Sequence, residues 1–244
     1  MKLLDRIAVL LVVIAVSMST KLTAQQPGSP SLSPKQQSII TIAAYTAKGD
    51  LPKLEKELNA GLDAGLTVNE TKEVLVHLYA YCGFPRSIRG LQTLMAVLEE
   101  RKAKGINDEW GAEASPITDE RSKYERGKEV LGKLTGAPQE GPRTGYSAFS
   151  PEIEVFLKEH LFADIFERDV LSHAERELVT ISVLSSLGGV EPMLQGHLGI
   201  SLNVGLTPDQ LRQFVRIIES TIGRNEAKAA QAVLDEVLKN HKSR

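Results

Sequence analysis

Two nearby segments of the chain carry side chains that could perform acid–base chemistry at one site. Arg176 and Glu177 are adjacent, and His197 follows Glu177 by 20 residues. Histidine is the side chain best able to donate and accept a proton near neutral pH. A glutamate can hold its imidazole in one tautomer, and an arginine can bind a substrate carboxylate through two hydrogen bonds. These residues predict proton transfer on a small carboxylated molecule, provided that their helices bring them together.

The same residues also fit a structural interpretation. His197 lies in a partly apolar segment, and such a histidine commonly belongs to a core or an interface. Glu177 could equally be a solvated residue in the first turn of a helix. The residue types alone leave the two interpretations open.

An internal repeat indicates which elements must position these residues. The segment 58–67, Leu-Asn-Ala-Gly-Leu-Asp-Ala-Gly-Leu-Thr, aligns without a gap with 198–207, Leu-Gly-Ile-Ser-Leu-Asn-Val-Gly-Leu-Thr. At the same offset of 140 residues, Gly83 aligns with Gly223. Such a match predicts one helical unit that has been duplicated and fused.

The apolar periodicity predicts helices throughout both copies, and therefore an all-α fold. Apolar residues recur at helical spacing over 176–187 and 191–204, and Gly205 suits the position after a helix where φ is positive. Thr207-Pro-Asp-Gln210 and Thr67-Val-Asn-Glu70 both have the pattern of a capping box. Because both copies keep this corner between two helices, we interpret it as a structural feature and not as a DNA-binding helix–turn–helix. The net charge of −2 also disfavours nucleic acid as a partner.

The N-terminus has the composition of a secretory signal. Lys2 and Arg6 are followed by an apolar run over 7–16, which is shorter than the ~20 apolar residues of a membrane span. We expect residues 1–24 to be removed on export, which predicts a periplasmic or secreted protein with no stable membrane anchor. The alternative is an uncleaved N-terminal anchor.

Composition divides the remaining chain into four parts. Residues 25–34 contain three Pro and three Ser, and predict a flexible leader. The first copy is expected at 35–101 and the second at 148–240. The segment 102–147 between them is predicted to hold a short amphipathic helix, at 124–135, and a linker.

Cys82 is the single cysteine of the chain, so it has no partner for an internal disulfide. It follows Tyr81 at the end of an apolar helix, a position typical of a small buried apolar residue. Stability is therefore expected to come from packing or from oligomerisation.

Four segments together resemble the carboxymuconolactone decarboxylase family. They are Tyr124-Glu-Arg-Gly127, Arg176-Glu-Leu-Val-Thr-Ile-Ser182, His197-Leu-Gly-Ile-Ser-Leu-Asn-Val-Gly-Leu-Thr207 and Val76-His-Leu-Tyr-Ala-Tyr-Cys-Gly-Phe-Pro85. The resemblance covers about residues 35–240. It implies an alkylhydroperoxidase-D-like helical unit present twice per chain. It also implies a homo-oligomer, for which we expect a trimer of two-copy chains that mimics a hexamer of single copies.

The family's two best-known branches are cofactor-free lactone decarboxylases and alkylhydroperoxidase-D-like thiol enzymes. The thiol branch carries Cys-x-x-Cys-x-x-x-His and a Glu on the preceding helix, which His197 and Glu177 match. Val190 and Met193 occupy the two cysteine positions, and peroxide reduction by this route needs an attacking and a resolving thiol. Dithiol chemistry is excluded at that site. The decarboxylase branch implies catalysis by His197 and Glu177, with no cofactor and no metal.

The first copy has lost this pair, because Gln37 aligns with Glu177 and Glu57 aligns with His197. The Tyr81-Cys-Gly-Phe-Pro85 corner of the first copy is not kept at the aligned positions of the second copy. This complementary loss fits one composite pocket built by both halves, and it fits equally two sites that decayed independently.

If the pocket is composite, His77 and Tyr81 of the first copy join Arg176 as expected substrate-binding residues. We therefore expect a cofactor-free lyase that acts on a small lactone or keto acid. Two alternatives stay open. One is a redox protein in which Cys82 works with an external thiol, and the other is a non-catalytic binding or assembly scaffold.

Overall fold

A computed structural model describes residues 31–241 of the 244-residue chain. The predicted signal at 1–24, and residues 25–30 of the predicted leader, lie outside the described residues. Within 31–241 the chain forms helices and their connections with no β-strand, which confirms the all-α prediction. No helix in that range is long and apolar enough to span a membrane.

Each copy contributes four helices, and a helical segment lies between the copies. The first copy contains α1 (Pro34–Lys48), α2 (Leu51–Asp63), α3 (Val68–His77) and α4 (Tyr79–Ala103). The helical segment between these two sets of four helices is called the segment between the copies, and it runs from 104 to 172, so it includes the first part of the range 148–240 expected for the second copy. It contains α5 (Lys123–Thr135), α6 (Gly145–Phe149), α7 (Pro151–Phe156) and a π-helix (Leu157–Ile165). The second copy contains α8 (His173–Leu187), α9 (Glu191–Asn203), α10 (Pro208–Thr221) and α11 (Arg224–His241). The offset of 140 residues places α2 directly onto α9.

The two predicted capping boxes are both present. The Thr67 hydroxyl accepts from the Glu70 amide at 3.1 Å, and the Glu70 carboxylate accepts from the Thr67 amide at 2.7 Å. Thr207 and Gln210 repeat the exchange at 3.2 and 2.9 Å. These bonds satisfy amide groups that the first turn of α3 and of α10 would otherwise leave without partners.

The glycines that align in the two copies also break the helices at matched positions. Gly83 has φ 82° and ψ 160° and bends α4 after its first turn. Gly223 has φ 150° and separates α10 from α11. Both values lie where a side chain would be strained, so a glycine suits each corner.

The two copies pack against each other through corresponding helices. Helix α1 lies against α8, its counterpart in the second copy, and it also contacts α10. Correspondingly, α8 contacts α3. One apolar core runs through both copies, and it includes Ile39, Leu54, Leu75, Leu178, Leu198 and Phe214. The packing of α3 on α8 matters most here, because it brings the end of the first copy's third helix to the segment that begins with Arg176 and Glu177.

The segment between the copies packs as a separate layer beside this core. Helix α5 lies along the π-helix and also contacts α9. Leu134, Phe162, Phe166 and Ile200 belong to a smaller apolar cluster that joins these elements. The segment is therefore part of the folded body next to α9, the helix that carries His197.

Candidate functional site

His197 and Glu177 are brought together by the packing of α9 on α8. The Nδ1 atom of His197 lies 2.9 Å from Oε2 of Glu177. The Glu177 side chain is fully buried, and the His197 side chain is 15% exposed. A carboxylate accepts the hydrogen bond, so the proton on the ring is held at Nδ1 and Nε2 is left with its lone pair. Nε2 has no hydrogen-bond partner within residues 31–241.

Tyr81 reaches this pair from the first copy. Its ring packs edge-on against the His197 ring, with 5.7 Å between centroids and an interplanar angle of 84°. Its hydroxyl and the Oε1 atom of Glu177 are both buried without a hydrogen-bond partner in the described part of the chain. Burial, and then the nearby Glu177 carboxylate, raise the pKa of Tyr81 well above its usual value, so the phenol stays protonated. Buried polar atoms without partners are uncommon, and two of them belong to residues that contact His197.

A buried polar network lies behind the pair and joins α3 to α8. Arg176 donates to Oε1 of Glu73 at 2.7 Å and to Nδ1 of His77 at 3.2 Å. The His77 Nε2 atom lies 2.9 Å from the Thr180 hydroxyl, which itself donates to the Arg176 carbonyl at 3.0 Å. Because a guanidinium can only donate, His77 must accept at Nδ1 and carry its proton at Nε2. Burial and the adjacent Arg176 charge hold the pKa of His77 well below its usual value.

The predicted site residues therefore form one connected group, in which some residues line a cavity and others are buried behind them. His197 and Tyr81 line a cavity of about 770 Å³. Arg176 and His77 do not line it, and each is 0% exposed. Arg176 also donates to the Arg168 carbonyl through Nη2, and its Nε is buried without a hydrogen-bond partner among the described residues.

The cavity is composite. The first copy contributes Tyr81, the second contributes Gly196 and His197, and much of the remaining wall comes from the segment between the copies. That wall includes the loop 138–144, which composition alone predicted to be a plain linker.

The cavity wall also carries a charged cluster that sequence reasoning missed. Glu154 accepts hydrogen bonds from Arg143, from Lys158 and, at 2.8 Å, from the Tyr124 hydroxyl. Tyr124 belongs to the Tyr-Glu-Arg-Gly motif and was noted for the resemblance, but nothing in the motif identified its partners. Lys158 lies on the π-helix, and no sequence pattern predicted that element.

The aligned residues of the first copy do not form a second acid–base pair. Gln37 donates to the Leu32 carbonyl at 2.9 Å, and Glu57 accepts from the Thr41 hydroxyl at 2.7 Å. Gln37 and Glu57 are thus bonded to other groups rather than to each other.

Cys82 lies near the site but in an environment that disfavours the thiolate. Its Sγ atom contacts the Leu78 carbonyl at 3.2 Å, and the side chain is half-buried. Burial raises the pKa of the thiol to about 11, so it is protonated near neutral pH.

Comparison with known proteins shows similarity to a protein family and to one of its characterised relatives. The carboxymuconolactone decarboxylase family model matches residues 18–95 and 151–236. A 4-carboxymuconolactone decarboxylase of Acinetobacter baylyi (strain ATCC 33305 / BD413 / ADP1) is 27% identical over 122 residues, which are 50% of this chain and 90% of that protein. Nearly the whole relative therefore corresponds to about half of this chain.

Proposed function

The chain belongs to the carboxymuconolactone decarboxylase family and carries the family's helical unit twice, and from this premise we propose that it is a decarboxylase-like lyase acting by acid–base chemistry on a small carboxylated molecule. The Acinetobacter relative supports a decarboxylase-like function. The observation that carries the proposal is the His197–Glu177 hydrogen bond of 2.9 Å beside a cavity of about 770 Å³.

The proposed reaction places a lactone or keto acid in the cavity with its carbonyl toward His197. When the C–C bond to the carboxylate breaks, CO₂ leaves and the electron pair moves onto the carbonyl oxygen as an enolate. The imidazolium form of His197 then gives a proton from Nε2 to carbon, and solvent reprotonates the ring. Glu177 holds the imidazole in place and stabilises its charged form.

Tyr81 is proposed to hold the His197 ring in place from the first copy. Its ring packs edge-on against the imidazole, and the residue lines the cavity. Its hydroxyl is buried and stays protonated because its pKa is raised, so no contact with the substrate is assigned to that hydroxyl.

Arg176 and His77 are proposed as positioning residues. Both are fully buried, and they bond to each other across the contact between α3 and α8. Glu177 is adjacent to Arg176 on α8, and Tyr81 follows His77 by one helical turn. The hydrogen bond between Arg176 and His77 therefore holds Glu177 and Tyr81 in place relative to each other.

The test is to assay proton exchange and decarboxylation of small lactones and β-keto acids with His197→Ala. We expect turnover to fall about 10²–10⁴-fold, which is the usual contribution of a general acid–base group. Glu57→Ala, at the aligned position of the first copy, is the matched control and should retain activity. Thermal unfolding of each variant checks folding.

Equal turnover by the wild type and a folded His197→Ala variant would refute the catalytic role. A wild type that binds members of the panel but converts none would favour the binding-scaffold alternative.

A further inference from the structure

We propose that Lys158 and Arg143 form an anion-binding subsite of the cavity, which holds a retained carboxylate of the substrate and so orients its reacting end toward His197. The role of the subsite in orienting a substrate rests on the proposed function. Anion binding at the subsite does not depend on it. It also assigns carboxylate recognition to residues other than Arg176, whose guanidinium is fully buried.

The geometry of the cluster leaves donors available. Lys158 uses two of its three N–H groups, one toward Glu154 and one toward the Tyr124 hydroxyl at 3.1 Å. Arg143 bonds Glu154 through Nε, and its side chain is 45% exposed. A guanidinium carries five N–H donors, so Arg143 has further hydrogens to offer a carboxylate.

The charges of the cluster do not cancel. Two cations, Lys158 and Arg143, share one carboxylate, that of Glu154. Hydrogen bonds from Lys158 first, and then from Tyr124, hold the pKa of Glu154 at about 2, so Glu154 stays ionised. The cluster therefore has a net charge of +1 at neutral pH.

The cavity lining as a whole carries two cations and two carboxylates, because Glu140 lines the cavity as well. Glu140 is 73% exposed and pairs with Lys128 at 3.0 Å, outside the lining. His197 is paired with Glu177. Among the described lining residues, Arg143 and Lys158 are the cations, and both lie on the same wall.

The burial of Lys158 gives a geometric reason for this assignment. The Lys158 and Glu154 side chains are 10% and 11% exposed, so their opposite charges form a largely buried pair. The third N–H group of Lys158 has no hydrogen-bond partner among the described residues, and Lys158 lines the cavity. A carboxylate in the cavity would accept from this N–H group and from the partly exposed Arg143.

The subsite can be tested by measuring binding of benzoate and of its uncharged isostere benzamide to the full-length protein by calorimetry. We expect Lys158→Met to weaken benzoate binding by roughly tenfold or more and to leave benzamide binding unchanged. Lys133→Met removes the same charge from an exposed pair with Glu129 on α5 and is the matched control. It should bind benzoate like the wild type.

If Lys158→Met fails to fold because Glu154 loses its partner, the double variant Glu154→Gln/Lys158→Met removes both charges and gives the same test. Arg143→Gln is expected to weaken benzoate binding as well. Benzoate affinity within twofold of the wild type in a folded Lys158 variant would overturn the subsite. So would a wild type that does not prefer benzoate to benzamide.

Failure of the subsite and failure of the proposed reaction are distinguishable. His197→Ala should keep the preference for benzoate whether or not the protein is a lyase. If turnover is found, Lys158→Met should mainly raise KM, whereas His197→Ala should mainly lower kcat, because only the second removes a group needed in the transition state.

Discussion

His77 and His197 pack on the same tyrosine, and their hydrogen bonds fix opposite tautomers. The Tyr81 ring lies 5.5 Å from the His77 ring and 5.7 Å from the His197 ring, measured between centroids. Arg176 donates to Nδ1 of His77, so the His77 proton is on Nε2. Glu177 accepts from Nδ1 of His197, which leaves Nε2 of His197 as the basic nitrogen. One histidine is thereby a neutral structural group, and the other can exchange protons with a ligand.

Glu177→Gln tests the charge on the carboxylate separately from its hydrogen bond. The amide oxygen can still accept from His197, but the negative charge that stabilises the imidazolium is removed. We expect kcat/KM to fall by about tenfold, less than the loss caused by His197→Ala. Steady-state kinetics on the same compounds measure the difference, and a loss as large as that of His197→Ala would contradict the supporting role.

His77 makes the stability of the protein depend on pH. The folded-state pKa of His77 is well below the usual 6.5, because of burial first and then the charges of Arg176 and His197. Between the two pKa values the unfolded chain binds more protons than the folded one, so the free energy of unfolding falls as the pH drops below about 6.5. The slope approaches about 1.4 kcal/mol per pH unit.

Urea unfolding of the wild type and His77→Gln at pH 7, 6 and 5 isolates this contribution. Glutamine does not titrate, so we expect the variant to be less stable at pH 7 and the difference to shrink toward pH 5. A difference that does not change with pH would show that His77 is not held neutral.

At the scale of elements, the Tyr-Glu-Arg-Gly motif attaches α5 to the segment 154–167, which contains the end of α7 and the π-helix. Arg126 pairs with Glu167 at 3.1 Å, and Tyr124 bonds Glu154. A Cβ atom on Gly127 would lie 1.7 Å from the Lys158 carbonyl oxygen, so only glycine permits the approach of the two helices. The motif thus positions the cavity wall that carries the charged cluster.

Gly127→Ala is expected to destabilise the protein by about 1–3 kcal/mol, because the clash is with backbone and forces α5 and the π-helix apart. Gly132→Ala on the same helix is the control, since its Cβ would meet its nearest atom at 3.4 Å, an ordinary contact. The control should be neutral or stabilising by up to about 1 kcal/mol. Denaturant unfolding compares the two, and equal stabilities would contradict this role of Gly127.

At the scale of the whole molecule, the two copies contribute different residues to the site. The second copy holds the His197–Glu177 pair, and the first supplies Tyr81 and His77. Part of the α4 surface is apolar and exposed, including Phe84 (64%), Ile88 (48%) and Met95 (61%). Surfaces of this kind commonly mark contacts between protein chains.

We predict that the protein is a homotrimer in solution. A two-copy chain that replaces two single-copy subunits halves the number of chains in a ring while the symmetry persists. Light scattering at micromolar concentration should give about three times the mass of one chain, and a monomeric mass would rule the trimer out. Export likewise stays a prediction, which N-terminal analysis of the mature protein tests.

The sequence by itself determined the features that depend on a few neighbouring residues or on the repeat. The capping boxes at Thr67 and Thr207 satisfy amides within one helical turn, so local residue types predict them. The positive φ predicted at Gly205 is present, at 101°, because it is likewise a local preference. The offset between the copies predicted that α2 and α9 correspond. The His197–Glu177 pair was accessible to sequence reasoning because it joins two successive helices of one copy.

Only the tertiary structure decided which distant residues share the site. Arg176 and His77 are 99 residues apart, and their contact depends on the packing of α3 against α8. That packing buried Arg176 and moved it out of the cavity, which its residue type gave no reason to expect. The cluster of Arg143, Glu154 and Lys158 depends on a π-helix that no periodicity predicts and on the way α5 lies against it. The physical reason is that such contacts are set by how complete helices fit together, and not by the preferences of any single segment.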